Sequence, residues 1–450
     1  MNNMARKLVV AVLCFALLSA CAPIAINVED LLAPPRLNEL QTQVQQALEA
    51  HTTLGVDQYR YPREGAYRSP FVLRDMNGDG LYEAIVFYTP ENSVGIRLKV
   101  LREQPDGSWK LTDDRAGFGN QVHIVKFANL LSPDSLCLVV GWEDSATGER
   151  RLDVFSHQNG RLHALYHNNY TVFNIAQYKT GDLEQIALVR QDMAGAFHLH
   201  LLGKTPDGRL SVMGDAALSE DIYEVINLTK GVMREEINGI FVDSRRFSGD
   251  RPIATEVFEV SNVGGEPAWL HPLVADIDIE TINRLYRQTF RFDGSLLSVD
   301  LRSDGNVVIP VHHEEPLPGF FAEPEAEPPP LVLFKSYDYA GLLEVADMAV
   351  INADAGYLFF FPTRWVGNVT VLRPEMNEWQ FWAVDMLTNR PAIELLRIRV
   401  YFIHDHQDRF TEDYVRLADR GLFQYYGYLP NRIGELALTQ QEMENNFMLL

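Results

Sequence analysis

The sequence predicts a mainly β protein: a propeller-like array of four-stranded antiparallel blades, five to seven of them, with an N-terminal helix and a C-terminal α+β portion. Three observations carry this. From residue 66 the apolar residues alternate with the period of two that marks strands, as at Ile96, Leu98 and Val100. A glycine turn recurs at Pro105-Asp106-Gly107, Asn159-Gly160, Pro206-Asp207-Gly208 and Gly264-Gly265, in steps of 53, 48 and 57 residues from Gly107 through Gly160 and Gly208 to Gly265. Turns of this kind between alternating segments are hairpin signals, and each step holds about four strands, the size of one blade.

The chain of 450 residues is longer than a typical single domain, so a repeat array or two to three domains is expected. Its 46% hydrophobic and 11% aromatic content is enough for a sizeable core. Residues 1–20 read as a secretion signal: Arg6-Lys7, eleven apolar residues from Leu8 to Leu18, then small residues. That apolar run falls short of the roughly twenty residues a bilayer requires. The boundary Leu18-Ser19-Ala20-Cys21 resembles a bacterial lipobox, which implies acylation of Cys21 and an extracytoplasmic protein anchored in the cell membrane by lipid such as palmitate. A plain signal peptide or a membrane-spanning anchor is the alternative. The formal charge is −22, and without Arg6 and Lys7 the chain has 37 basic against 61 acidic residues, or −24. Such a surface repels nucleic acid, so no nucleic-acid partner is expected, and it favours cations and solubility.

Residues 21–35 form a tether ending in Pro34-Pro35, which cannot continue a helix. Residues 36–52 follow as an amphipathic helix with Leu37, Leu40, Val44 and Leu48 on one face, packing on the domain beyond it or on a partner helix. Blades occupy residues 66–313. The first contains Asp75-Met76-Asn77-Gly78-Asp79-Gly80-Leu81-Tyr82-Glu83 and runs directly into Ala84-Ile85-Val86-Phe87-Tyr88. Oxygen side chains stand at positions one, three, five and nine, Gly80 at six allows the sharp turn, and Leu81 offers its carbonyl at seven. Calcium binds through such hard oxygens. Position twelve is Val86, so the glutamate of an EF-hand is missing, and a strand follows in place of a helix. The expected site is therefore a nine-residue calcium loop in a β-hairpin with a structural role, ligated by Asp75, Asn77, Asp79, Leu81 and Glu83. The other reading is an ordinary Asn-Gly or Asp-Gly turn with solvated acids.

Asp75, Asn77, Asp79, Gly80 and Glu83, preceded by Phe71-Val72-Leu73, resemble the D-x-[DN]-x-D-G-x-x-[DE] signature of FG-GAP or VCBS repeats, which build integrin-alpha-like β-propellers. Tyr61-Pro62-Arg63 through Tyr88 is similar to the opening of a group of bacterial VCBS-repeat lipoproteins of unassigned function. Trp365-Val366-Gly367-Asn368-Val369-Thr370-Val371 and Leu395-Leu396-Arg397-Ile398-Arg399-Val400, with the terminal helix, resemble the same group. The motif marks an architecture more than an activity.

Later copies of the loop lose its chemistry. Placing Leu138-Val139-Val140 on Ala84-Ile85-Val86 puts Asn129, Leu131, Pro133 and Cys137 over Asp75, Asn77, Asp79 and Glu83. In the third unit Gly181 and Glu184 stand over Gly80 and Glu83, with Ala176, Tyr178 and Thr180 at the first ligand positions. Asn238 takes the glutamate position in the fourth. In the fifth, Asp300 to Val308 places Arg302 at position three, where its guanidinium replaces a cation. With Cys21 acylated, Cys137 is the one cysteine of the mature domain and reads as a buried, inert thiol, a catalytic cysteine being the sharper alternative.

Residues 276–288 suggest a short helix or insertion, and residues 314–330 an acidic proline-rich linker. Residues 331–450 are expected as an α+β portion or as final blades. Thr439-Gln440-Gln441-Glu442 is a capping box opening a helix with Met443, Phe447 and Leu450 as its apolar face. No Gly-x-Ser-x-Gly elbow, His-Glu-x-x-His, Walker loop or Gly-x-Gly-x-x-Gly fingerprint is present. The pairs His198/His200, His404/His406 and His312-His313 have no third ligand near them in sequence, and zinc requires three or four. The expectation is a cell-surface, lipid-anchored binding protein for a protein or glycan ligand and not an enzyme. The alternatives are an extracytoplasmic hydrolase or lyase on a propeller scaffold, and a solute-binding lipoprotein, which would show two lobes of alternating strands and helices.

Overall fold

The structure is a computed structural model that describes residues 39–51, 58–158, 160–178, 181, 183–234, 237–247, 252–261, 269–272, 288–291, 294, 296–319, 321, 328–337, 343–403 and 413–450. The signal, tether and Cys21, residues 276–287 of the expected insertion, and His404/His406 lie outside these residues. The protein is mainly β, and its strands form successive antiparallel sheets. The first sheet comprises Phe71–Arg74, Glu83–Tyr88, Arg97–Glu103 and Trp109–Ala116. The second comprises Gln121–Ser132, Ser135–Glu143, Arg150–Gln158 and Arg161–Asn169. The third is built from Val172–Ala176, Gln185–Gln191, Phe197–Lys204 and Leu210–Ala217, and the fourth from Ile222–Arg234, Ile237–Arg246, Ile253–Ser261 and Trp269–Pro272. Each is a four-stranded meander in chain order. Gly107, Gly160 and Gly208 all close the turn before a fourth strand with positive φ of 79°, 78° and 83°, where glycine carries no steric penalty.

The central strands are apolar on both faces because each sheet lies between two neighbours. Ile85 and Phe87 of the first sheet pack with Leu138, Val140 and Trp142 of the second. Cys137 and Val139, on the opposite face of that strand, pack with Ile186 and Leu188 of the third sheet. Ala187 and Val189 then meet Ile240 and Val242 of the fourth, and Phe241 meets Ile309 and Val311. The period of two is thus used to fill two interfaces at once, which explains unbroken runs such as Ile186-Ala187-Leu188-Val189. The outer face of the first sheet, formed by Ala84 and Val86, is covered by Val44 and Leu48 of the helix Glu39–His51.

Hydrogen bonds also join successive units at one end of the sheets, around the inner loops: the turns between the first and second strands of the first four sheets and the loop before Ile309 in the fifth. Leu136 N–H donates to Met76 O (2.8 Å), and Glu184 N–H to Asn129 O (3.0 Å). Asn238 Nδ2 donates to Tyr178 O (2.9 Å), and Val232 N–H to Gly305 O (2.8 Å).

Of the two expectations for residues 331–450, an α+β portion or final blades, the described residues give mostly strands with one short helix, Gln440–Asn446, and Ile309–His312 pairs with Leu331–Tyr337 in one sheet across the expected linker. That fifth sheet continues with Leu343–Asn352, Tyr357–Phe360 and Phe447–Leu449. The sixth is formed by Val369–Glu375, Glu378–Asp385, Arg390–Phe402, Phe423–Tyr428 and Val415–Arg420, and it packs on the fifth through Phe359, Trp365, Phe381 and Leu396. The capping box at Thr439 and Glu442 is formed in full, but the helix Gln440–Asn446 ends before Phe447. Phe447 and Leu450 are therefore not on its apolar face. The open edge of Tyr357–Phe360 takes Phe447–Leu449 as an added strand, and that pairing wins over one more helical turn.

The fourth sheet carries a buried ionic knot. Asp243 Oδ1 accepts from the Thr255 and Ser298 hydroxyls (both 2.7 Å) and pairs with Arg291 Nη2 at 2.6 Å, while Oδ2 accepts from Asn227 Nδ2 (2.9 Å) and Ser298 N–H (2.7 Å). Both charged residues are fully buried. Removing one partner strands the other charge in the core, so Arg291→Met is expected to lower the unfolding free energy by about 3–5 kcal/mol. Urea denaturation checks this, with Arg209→Ala in an exposed turn leaving the midpoint nearly unmoved.

Candidate functional site in the first inner loop

The expected ligand loop sits between the first two strands of the first sheet, at residues 75–82. Backbone amides hold its shape. Asp75 Oδ1 accepts from Gly78 N–H (2.7 Å) and Oδ2 from Gly80 N–H (2.8 Å), while Asp79 Oδ1 accepts from Leu81 N–H (3.0 Å). Asn77 Nδ2 donates to Asp79 Oδ2 at 2.9 Å. Gly78 and Gly80 have φ of 73° and 84°, a conformation in which a side chain is strained.

Glu83 closes the loop from below. It is fully buried, and its Oε2 accepts from Met76 N–H at 2.9 Å, seven residues back. The third unit repeats this tie: Gln185 Oε1 accepts from Tyr178 N–H at 2.8 Å, again over seven residues. In the second unit the Leu130 backbone amide donates to the Cys137 thiol over the same spacing. The structural counterpart of Glu83 in the third unit is thus Gln185 and not Glu184, one residue away from the expected alignment. Glu184 turns to the neighbouring unit, where its Oε2 accepts from Asn129 N–H at 2.8 Å. A buried apolar residue followed seven positions later by a polar one (Met76/Glu83, Leu130/Cys137, Tyr178/Gln185) was the signal available in the sequence.

The second oxygen of Glu83 has no such partner. Oε1 is buried and makes no hydrogen bond among the described residues. It lies 3.6 Å from Arg102 Nε, itself buried without a hydrogen-bond acceptor, and 3.8 Å from His157 Nδ1. Arg102 stands opposite Glu83 on the adjacent strand, and its Nη2 is in contact with Asp79 Oδ2. Burial pushes the Glu83 carboxyl up to about 7; the Asp79 and Asp75 charges add to this, against the Met76 amide and Arg102. Asp79 goes the other way: against its own desolvation, the Leu81 amide, Asn77 and Arg102 hold it below the usual carboxylate range. Arg102 was not among the residues the sequence singled out, because it belongs to another strand and reaches the loop only through sheet register. Among the described residues no three His, Cys, Asp or Glu side chains converge as a metal cluster.

The remaining candidates separate clearly. At the fifth loop Asp300 Oδ1 and Oδ2 accept from Asp304 and Gly305 N–H (3.2 and 2.8 Å), while bonds to Asn306, helped by the Arg302 charge, hold Asp304 below the usual carboxylate range. The Arg302 guanidinium reaches out to Asp347 at 2.7 Å, because the fifth sheet offers that carboxylate beside the loop. Cys137 is a free, buried thiol pushed up to about 11 by burial. His198 and His200 share a face, with Asp215 Oδ1 3.5 and 3.3 Å from their Nδ1 atoms. His200 is buried and its Nε2 accepts from Arg190 Nε at 2.7 Å, so that face is not simply solvated. His312, His313, Glu314, Glu315 and Lys335 line an open cavity of about 790 Å³ beside the fifth sheet.

No family model and no curated protein matches the sequence. Solved structures with some likeness include a rhamnogalacturonan lyase from Bacillus licheniformis, 10% identical, with a TM-score of 0.32 over 75% of this chain and 77% of that one. Sqt1 from Chaetomium thermophilum is 10% identical with a TM-score of 0.25, covering 82% of this chain and 80% of that one. A protein described as an exo-beta-1,3-galactanase from Bifidobacterium bifidum s17 is 9% identical with a TM-score of 0.25, over 66% and 93% of the respective chains. Likeness at this level carries no argument about activity.

The tie beneath the loop gives a direct expectation. Glu83→Leu leaves the buried Met76 N–H without an acceptor and costs about 1–3 kcal/mol, read as a drop in urea midpoint. Glu83→Gln retains an acceptor, as Gln185 does in the third unit, and costs less than Glu83→Leu.

Proposed function

We propose that this chain is a lipid-anchored binding protein of the extracytoplasmic surface, with its sheets arranged radially in the propeller-like manner of VCBS and FG-GAP repeats and a structural calcium ion in the first inner loop. The observation that best supports a radial arrangement is the chain of bonds from one inner loop to the next, Met76 to Leu136, Asn129 to Glu184, Tyr178 to Asn238 and Val232 to Gly305. Sheets joined at their inner loops and packed face to face present the opposite turns outward as a display surface. The helix Glu39–His51 lies on the first sheet where a closing blade would pack, so the arrangement proposed is an arc with a helical end.

The donor set fits a hard divalent cation. Asp75, Asn77 and Asp79 offer side-chain oxygens, Leu81 its carbonyl, and Glu83 a buried oxygen that no hydrogen bond satisfies. Bound there, calcium would supply positive charge to three carboxylates and stiffen the hairpin. The enzyme reading draws on the cavity beside His312 and His313, but Glu314 and Glu315 are exposed at it and are not the desolvated carboxylates that acid–base chemistry requires. The solute-binding reading needs helices alternating with strands, which the antiparallel meanders do not supply.

Two outcomes test the proposal. Calcium raises the melting temperature of the wild-type protein and chelator lowers it, by mass action on the folded state; Asp75→Ala removes the response, and a chelator-insensitive wild type refutes the site. Cys21→Ser is expected to move the protein from the membrane to the soluble extracytoplasmic fraction, with loss of the acyl mass; retention at the membrane refutes the anchor. A pull-down from the displayed surface, with and without chelator, then separates protein from glycan ligands.

A further inference from the structure

We propose that Arg102 is a built-in occupant of the first inner loop, and that a divalent cation enters only by displacing its guanidinium from Asp79 and Glu83. The inference rests on the calcium reading above and concerns how that site is tuned.

Arg102 lies directly opposite Glu83 in the strand pairing, so its side chain is delivered to the loop by the register of the sheet. Its Nη2 contacts Asp79 Oδ2 and its Nε faces Glu83 Oε1 at 3.6 Å. A guanidinium has donors and no acceptor, so it cannot join a coordination sphere. As the side chains stand, Asp79 Oδ2 is held by Arg102, and no three His, Cys, Asp or Glu side chains converge among the described residues. The guanidinium is nevertheless poorly seated: Arg102 Nε and Glu83 Oε1 are both buried and neither makes a hydrogen bond. Glu83 is fully buried, so its unsatisfied oxygen is an independent sign that the loop is built for a further positive group.

Charge points the same way. Asp75 and Asp79 place two carboxylates beside one guanidinium, and Glu83 adds a buried carboxyl, so a divalent ion would meet more negative charge there than Arg102 neutralises. The Arg102 side chain is 29% exposed, and its long stem lets the head group move into water while the stem stays on the sheet. Exchange of a fixed cation for a free one makes affinity low and sets it by one residue.

Calorimetric titration of the full chain with calcium tests this. Arg102→Gln is expected to tighten binding by about tenfold or more, the scale of one competing charge at about 4 Å in a partly exposed site. Arg102→Lys keeps the charge and is expected to bind close to wild type. It also gives a second measurement: calcium should speed acylation of the substituted amine by releasing it from the carboxylates. Equal calcium affinity for wild type and Arg102→Gln, or an amine whose labelling ignores calcium while calcium still binds, overturns the inference and leaves the calcium reading intact. Absence of calcium binding in wild type and in both variants overturns the reading itself. If Arg102→Gln fails to fold, shown by a lost urea transition, the labelling of Arg102→Lys decides alone.

Discussion

A side chain at the start of the second strand, reaching back to an amide seven residues earlier, is the constraint on which the inner loops depend. In the first three units the residue seven places earlier (Met76, Leu130, Tyr178) is buried as the chain turns back, and its N–H needs an acceptor there. Glu83, Cys137 and Gln185 meet the need with three different chemistries. The loop can then lose the acidic residues at the ligand positions, as the second unit has with Asn129, Leu131 and Pro133, and still be held in place to bond with its neighbours. In the first unit the acceptor is a carboxylate, so one oxygen is used by the fold and one is left over. The chemistry proposed for this loop grows out of that surplus oxygen.

The stacking of sheets follows from the same economy of polar groups. With apolar residues on both faces of the central strands, no sheet is stable alone, and each interface is completed by the next sheet along the chain. Where the run changes character the packing does too. Asp243, Thr255, Ser298 and Arg291 replace apolar contacts in the fourth sheet with a knot of hydrogen bonds and one buried ion pair, an arrangement that is costly wherever a member loses its partner. It ties residues 291 and 298 to a sheet that ended at Pro272, holding the chain on its way to the fifth.

Much of this was legible from the residues. Turn glycines at near-regular steps located three of the fourth strands, because a hairpin turn with positive φ demands glycine whatever surrounds it. The capping box at Thr439 and the face of Val44 and Leu48 were equally local, and local chemistry settled them. What stayed hidden was set by pairing at a distance. Gln185 and Glu184 are adjacent, and only the pleat decides which one points under the loop and which toward Asn129. Arg102 belongs to the site solely because it is opposite Glu83 across the ladder. Phe447 carries the spacing of a helix face, yet the vacant edge at Tyr357–Phe360 recruits it as a strand, which no window of sequence around it reveals.

The helix Glu39–His51 is the first described element of the chain, and it grips the first sheet through Val44 and Leu48 packed against Ala84, Val86 and Trp109. Tension applied at the N-terminal side therefore arrives at the sheets as sliding of a helix over a flat apolar face, and not as unzipping of strand ladders. Such a contact yields by shear, with the Gln41 side chain's bond to Phe71 O as a directional link resisting it. The helix is thus held by side-chain packing, while the hairpin that carries Asp75 to Glu83 is held by its own strand ladder.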